Sequence, residues 1–81
     1  MTKKKKPLTI FRTLDLHGYT VQGAYTKTRE FLDYCKEEEF KLIRVITGKS
    51  GQIYQEFPTW MENFGYDIVE TNIGNFVIKV L

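Results

Sequence analysis

Two short loops constrain this chain more than any other feature: Leu14-Asp15-Leu16-His17-Gly18 and Thr47-Gly48-Lys49-Ser50-Gly51. Each follows a segment patterned as a strand and leads into a segment patterned as a helix. If the two strands are parallel neighbours, both loops open at the same end of one sheet, the end at which open α/β sheets bind ligands. An acid, the chain's single histidine, a lysine and several flexible main-chain amides would then meet at one place. That set suits a phosphodiester.

The remaining elements follow from periodicity. Alternation over residues 13–17 predicts a first strand, with Leu14 and Leu16 on one face and Thr13, Asp15 and His17 on the other. Gly18 ends it and Thr20 is a good N-cap. Val21, Ala24, the Thr28 methyl, Phe31, Leu32 and Cys35 recur at intervals of three and four, an amphipathic helix reaching Glu38. Glu37, Glu38 and Glu39 fall where the helix dipole disfavours acids, which helps the helix stop. Residues 41–47, with branched Leu42, Ile43, Val45 and Ile46, read as a central strand. Ile53, Phe57, Trp60, Met61 and Phe64 return to helical spacing, and Trp60 belongs to the core. Pro58 lies inside that pattern, so this helix either kinks there or begins there, and Gly65 suits the position after its last turn. Residues 66–71 and 75–81 are two more strands joined by the tight turn Asn72-Ile73-Gly74.

The order is thus β-α-β-α-β-β, with no repeat and no linker. Right-handed crossovers put both helices on one face of a four-stranded mixed sheet and leave the other face open. If the last strand turns Phe76, Ile78 and Val80 inward, then Val77, Lys79 and Leu81 face outward, joined by Leu42, Arg44 and Ile46.

Length and composition narrow the function. A chain of 81 residues is one domain, with residues 1–11 a basic, mostly flexible tail and 12–81 the folded body. So short a chain buries a little over half of the surface it exposes unfolded, and 42% hydrophobic and 15% aromatic residues are enough for a small core. No apolar run approaches the ~20 residues that cross a membrane, and no apolar segment follows the basic start, so no secretory signal and a cytoplasmic location are expected. One cysteine rules out an intrachain disulfide, and its spacing with Phe31 and Leu32 predicts a buried, inert thiol. The net charge of +2 conceals a division. Lys3, Lys4, Lys5 and Lys6 are four of twelve basic residues, so the rest carries eight basic and ten acidic groups. The body therefore lacks a nucleic-acid binder's overall charge. Affinity for phosphates must come from local placement and from the lysine arm, which otherwise serves as a solubilising tail.

At the loop end, Asp15 and His17 on one strand face lie roughly 6–7 Å apart. A carboxylate at that range can orient an imidazole or share a metal with it, and a neutral histidine can pass protons near pH 7. The Gly48-Lys49-Ser50-Gly51 loop precedes a helix whose N-terminus favours negative charge. Gly-Lys-Ser resembles the end of a P-loop, but that motif needs a glycine where Ile43 stands, so ATP and GTP are excluded. These features also permit a plain reading, in which Asp15 caps the turn, His17 is an edge residue and the glycines simply make turns. Tyr19 and Tyr54 flank the loops and are either base-stacking rings or ordinary packing.

Leu-Asp-Leu-His-Gly at 14–18, Thr20, Val21 and Ala24 after it, Val-Ile-Thr-Gly-Lys at 45–49, Phe-Pro-Thr-Trp-Met at 57–61 and the closing run from Asn72 together resemble the Smr (small MutS-related) family. The resemblance covers nearly all of residues 13–81. It implies a two-layer α/β fold, an α+β sandwich like the C-terminal domain of translation initiation factor 3, with sheet order 1-2-4-3 and the last strand antiparallel to the rest. It also implies nucleic-acid binding, and in several members endonuclease action on RNA or nicking of DNA. The family's Asp-x-His pair falls on Asp15 and His17. Its Thr/His-Gly-x-Gly loop falls on Thr47, Gly48, Lys49 and Ser50, with Ser50 where the second glycine is usual and Gly51 one place later. On this reading Asp15 holds His17, or a divalent ion such as Mg2+ if one is used. His17 is general acid or base, and Lys49 with the amides of Gly48, Ser50 and Gly51 stabilises charge on the phosphate. Gly18 and Thr47 line the same site and Arg12 holds a neighbouring phosphate. Two other readings stand beside it. One is a nucleic-acid binder without catalysis, favoured by Ser50. The other is an interaction module, a ribosome-associated adaptor or weak homodimer that uses the open sheet face.

Overall fold

The computed structural model of this chain describes residues 10–80. Six elements follow one another: β1 (Ile10–Asp15), α1 (Val21–Glu37), β2 (Leu42–Ile46), α2 (Gln52–Phe64), β3 (Asp67–Asn72) and β4 (Asn75–Lys79). The sheet order is β1-β2-β4-β3. β1 and β2 run parallel, and β4 is antiparallel to both its neighbours. This is the mixed four-stranded sheet and two-layer sandwich expected from the sequence. The lysines at positions 3–6 and Leu81 lie outside the described residues.

One layer boundary carries the core. Leu14 and Leu16 from the β1 edge, Ile43 and Val45 from β2, and Phe76, Ile78 and Val80 from β4 are buried against Ala24, Leu32 and Cys35 of α1 and Phe57, Trp60 and Met61 of α2. β1, β2 and β4 each contribute alternate residues, as pleating requires, and no helix among the described residues lies over the opposite face. Leu42, Arg44, Ile46 and Val77 on that face are only half-buried. Phe57 stacks tilted on Phe76 at 4.9 Å between ring centroids, and Tyr25 meets Trp60 edge-on at 5.3 Å. Such aromatic pairs add about 0.5–1.5 kcal/mol beyond burial.

The helix ends follow local rules. The Thr20 side chain accepts from the Gly23 N–H at 3.0 Å and caps α1. Gly65, with φ 88°, closes α2 in the left-handed conformation. α2 starts at Gln52 and runs on through Pro58, so of the two alternatives the helix does not begin there.

The first strand departs from expectation. It begins at Ile10, which pairs with Leu42 across a register shift, and it ends at Asp15. His17 lies in the following turn and does not share a strand face with Asp15. The cause is Asp15 itself: its carboxylate accepts the His17 N–H at 2.9 Å, and the Tyr19 N–H reaches back to the Leu16 carbonyl at 3.2 Å. Asp side chains commonly turn the chain this way.

Two buried groups yield expected results. The Thr28 hydroxyl is fully buried and has no hydrogen-bond partner among the described residues. An unsatisfied buried hydroxyl costs about 1–3 kcal/mol, and valine has the same shape and a similar helix propensity. Thr28→Val should therefore raise stability by about 1–2 kcal/mol, read as a higher melting temperature. Burial pushes the Cys35 thiol up to about 11, with Arg12 opposing the shift. The folded thiol holds its proton more tightly than the unfolded one, whose ordinary value is 9.0. Stability present below pH 9 should thus be lost as pH rises toward 11. Denaturant midpoints measured across that window should fall, and fall less in Cys35→Ala.

Candidate functional site

The register of β1 on β2 builds the site. Asp15 pairs with Ile46, and the Leu16 N–H donates to the Ile46 carbonyl at 2.9 Å. The chain ends of two neighbouring parallel strands therefore leave the sheet side by side. One continues through His17 and Gly18 to the N-terminus of α1, the other through residues 47–51 to the N-terminus of α2. Asp15, His17, Gly18, Gly48, Lys49, Ser50 and Gly51 are all exposed at this end.

The second loop explains the displaced glycine. Gly51 immediately precedes α2 with φ 97°, a region that L side chains rarely adopt. Ser50 does not take a left-handed conformation; among the described non-glycine residues only Glu39 does. The glycine one place late thus sits where the loop needs it. No side chain caps α2 there, so its first-turn amides stay open to an anion.

Thr47 and Arg12 have different surroundings from the other candidates. Thr47 is buried, its N–H donates to the Gly74 carbonyl at 2.8 Å, and its hydroxyl donates to the Gly48 carbonyl at 2.9 Å. It braces the loop from beneath. Arg12 lies in the middle of β1, paired with Ile43, and its guanidinium lies 5.1 Å over the ring of Phe40, which precedes β2, rather than at the two loops.

Sequence reasoning missed the other half of this brace. Gly74 read only as a hairpin residue, yet a Cβ there would lie 2.2 Å from the Gly48 carbonyl oxygen. The Gly74 N–H donates to the Glu70 carboxylate at 3.0 Å. Glu70 also accepts from the Tyr54 hydroxyl, which holds the phenol's proton on and raises its pKa. Tyr54, its ring 6.2 Å from Phe76, is thereby tied into the scaffold rather than presented to a base. Tyr19 remains exposed beside the first loop.

The donor set offers little to a divalent ion. Among the described residues no three His, Cys, Asp or Glu side chains cluster. Asp15 already accepts the His17 N–H, and the Glu70 carboxylate beneath the second loop already accepts the Gly74 N–H. These residues do not compose a dedicated Mg2+ site.

The Smr domain family model matches residues 14–72. A crystal structure of the human small-MutS related domain is 26% identical, with a TM-score of 0.73 over 83% of this chain and 97% of that one. The solution structure of the B3BP Smr domain is 21% identical, with a TM-score of 0.72 over 85% and 77%. The SMR domain of NEDD4-binding protein 2 is 20% identical, with a TM-score of 0.74 over 100% and 93%. The last two share the fold. No curated protein matches the chain.

Proposed function

Since this chain belongs to the Smr family, a nucleic-acid-associated group of domains, we propose that it is an endonuclease that cleaves RNA at the paired loops. The observation that supports this reading is the parallel register of β1 on β2, from which the His17 turn and the Lys49 loop both leave at one end of the sheet, the second leading into a helix without a side-chain cap. Lys49 and the amides from Gly48 to α2 hold the phosphate and stabilise the charge that builds on it. His17 takes the proton of the attacking hydroxyl, which in RNA is the neighbouring 2′-OH. As the 2′-oxygen bonds to phosphorus the bond from phosphorus to the 5′-oxygen breaks, and the leaving 5′-oxygen takes a proton from water. Asp15 holds the His17 main chain and fixes where the imidazole starts. With the 2′-OH as nucleophile no dedicated metal site is required.

The test is incubation with labelled single-stranded and structured RNA and with supercoiled DNA, in magnesium and in chelator. RNA cleavage that survives chelator and is abolished by Asp15→Ala and His17→Ala supports the proposal. Cleavage confined to DNA, or dependent on magnesium, contradicts the RNA chemistry. A second reading, binding without cleavage, is favoured by the Asp15 hydrogen bond, since a carboxylate that shapes a turn has a role without chemistry. RNA bound equally by both variants and left intact by all three proteins would establish it. No helix among the described residues is long and apolar enough to cross a membrane.

A further inference from the structure

The sheet face away from the helices has a pattern that the loops do not explain. Asp15 on β1 pairs with Ile46, so Arg44, two residues earlier on β2, is its diagonal neighbour. Arg44 in turn pairs with Val77, so Lys79, two residues on along β4, is the next diagonal neighbour. Alternation puts all three on the open face, because Ile43, Val45, Phe76 and Ile78 between them are buried on the other. A straight line thus descends from the loop site across three strands, in steps of about 7–8 Å. That is on the order of the spacing between successive phosphates of an extended strand.

Arg44 is half-buried, yet it forms no ion pair with any described residue. Arg44 lies opposite Thr13 and Val77 and between Leu42 and Ile46 along β2, with Asp15 only diagonal to it, and its planar fork can bind a phosphate through two parallel hydrogen bonds. Leu42, Ile46 and Val77 around it are half-buried and Val69 beyond them is exposed, an aliphatic surface without polar demands. Two carboxylates oppose this pattern, Asp15 at its head and Asp67, which pairs with Lys79 from β3 at the far edge.

We propose that the open face of the sheet is the track of a single-stranded nucleic acid, whose backbone leaves the Asp15–His17 loop and places its next phosphates on Arg44 and then Lys79. This rests on the reading of the loops as a nucleic-acid site and specifies the path of the strand away from it. Bases lie over Leu42, Ile46 and Val77, which read no sequence. A duplex is too wide to follow a line of single side chains across the pleat.

The test is the salt dependence of binding of a fluorescein-labelled oligouridylate, measured by polarisation for wild type, Arg44→Gln, Lys79→Gln, the double variant and Lys36→Gln on α1. Each phosphate contact to a single strand contributes about 0.7 to the slope of log affinity against log salt. Arg44→Gln and Lys79→Gln should each lower the slope by about 0.7 and weaken binding about fivefold at 0.1 M salt, with Lys36→Gln unchanged. A wild-type slope in the double variant, or an equal loss in Lys36→Gln, overturns the track while leaving the loop site standing. Failure of the wild type to bind any oligonucleotide overturns both. A dimer in sedimentation that Val77→Glu dissolves would give the face to a second copy of the chain and overturn the track.

Discussion

Replacing His17 by alanine is expected to lower RNA cleavage by about 10²–10⁴-fold, the range typical of one general acid–base group. His17 is the chain's single histidine, so no other imidazole can take over its proton. It is exposed and lies in a turn, so its removal opens no cavity and leaves the core as it was. Its main-chain N–H, which Asp15 holds, survives the substitution. The unfolding temperature and the affinity for RNA should therefore stay near those of the parent while the single-turnover rate falls. Asp15→Asn keeps the acceptor for the His17 N–H and removes only the charge, so a rate near that of the parent is expected from it. Comparable affinity and fold in His17→Ala, with an unchanged rate, would remove His17 from the chemistry.

Gly74→Ala is expected to have the largest effect on stability of any single methyl group added to this protein. The new Cβ would lie 2.2 Å from the Gly48 carbonyl oxygen and 3.1 Å from the Lys49 nitrogen, both main-chain atoms that cannot swing aside. The φ of 78° adds the left-handed penalty, roughly 1–2 kcal/mol for a residue with a side chain. Moving the hairpin away breaks the Thr47 N–H bond to the Gly74 carbonyl, a buried pair whose loss costs about 1–3 kcal/mol. Together these imply a loss of about 3 kcal/mol, or a melting temperature lower by more than about 10 °C. The same shift displaces the Lys49 loop, so cleavage should fall with it. A melting temperature within a few degrees of the parent would show that the hairpin does not brace the loop as described.

Much of this was legible in the chain, and its limits are physical. Helical spacing found both helices, and alternation found the inward residues of β2 and β4, because burial on one face imposes a period. Thr20 and Gly65 were legible because capping is local chemistry. The strand order was a different matter: periodicity yields β-α-β-α-β-β, and the order 1-2-4-3 came from the resemblance of whole motifs. Ile10 was missed because its place in β1 depends on Leu42, 32 positions away. The turn at His17 was missed because alternation cannot see the Asp15 side chain bond to the main chain. The Tyr54–Glu70–Gly74–Thr47 brace was invisible for the same reason as Ile10, since it joins a helix, a hairpin and a loop only once the sheet has formed. Arg12 was drawn into the site by nearness in sequence to Asp15, but strands extend, and its guanidinium lies over Phe40, just before β2.

The account stands on one claim, that the two loops form a site that breaks RNA. End-group analysis of RNA incubated with the purified protein in excess chelator tests it most directly. The account predicts fragments ending in a 2′,3′-cyclic phosphate and a 5′-hydroxyl, absent with His17→Ala and from a 2′-O-methyl substrate. Intact RNA that wild type and His17→Ala bind with equal affinity would contradict it and leave a nucleic-acid-binding domain without catalysis.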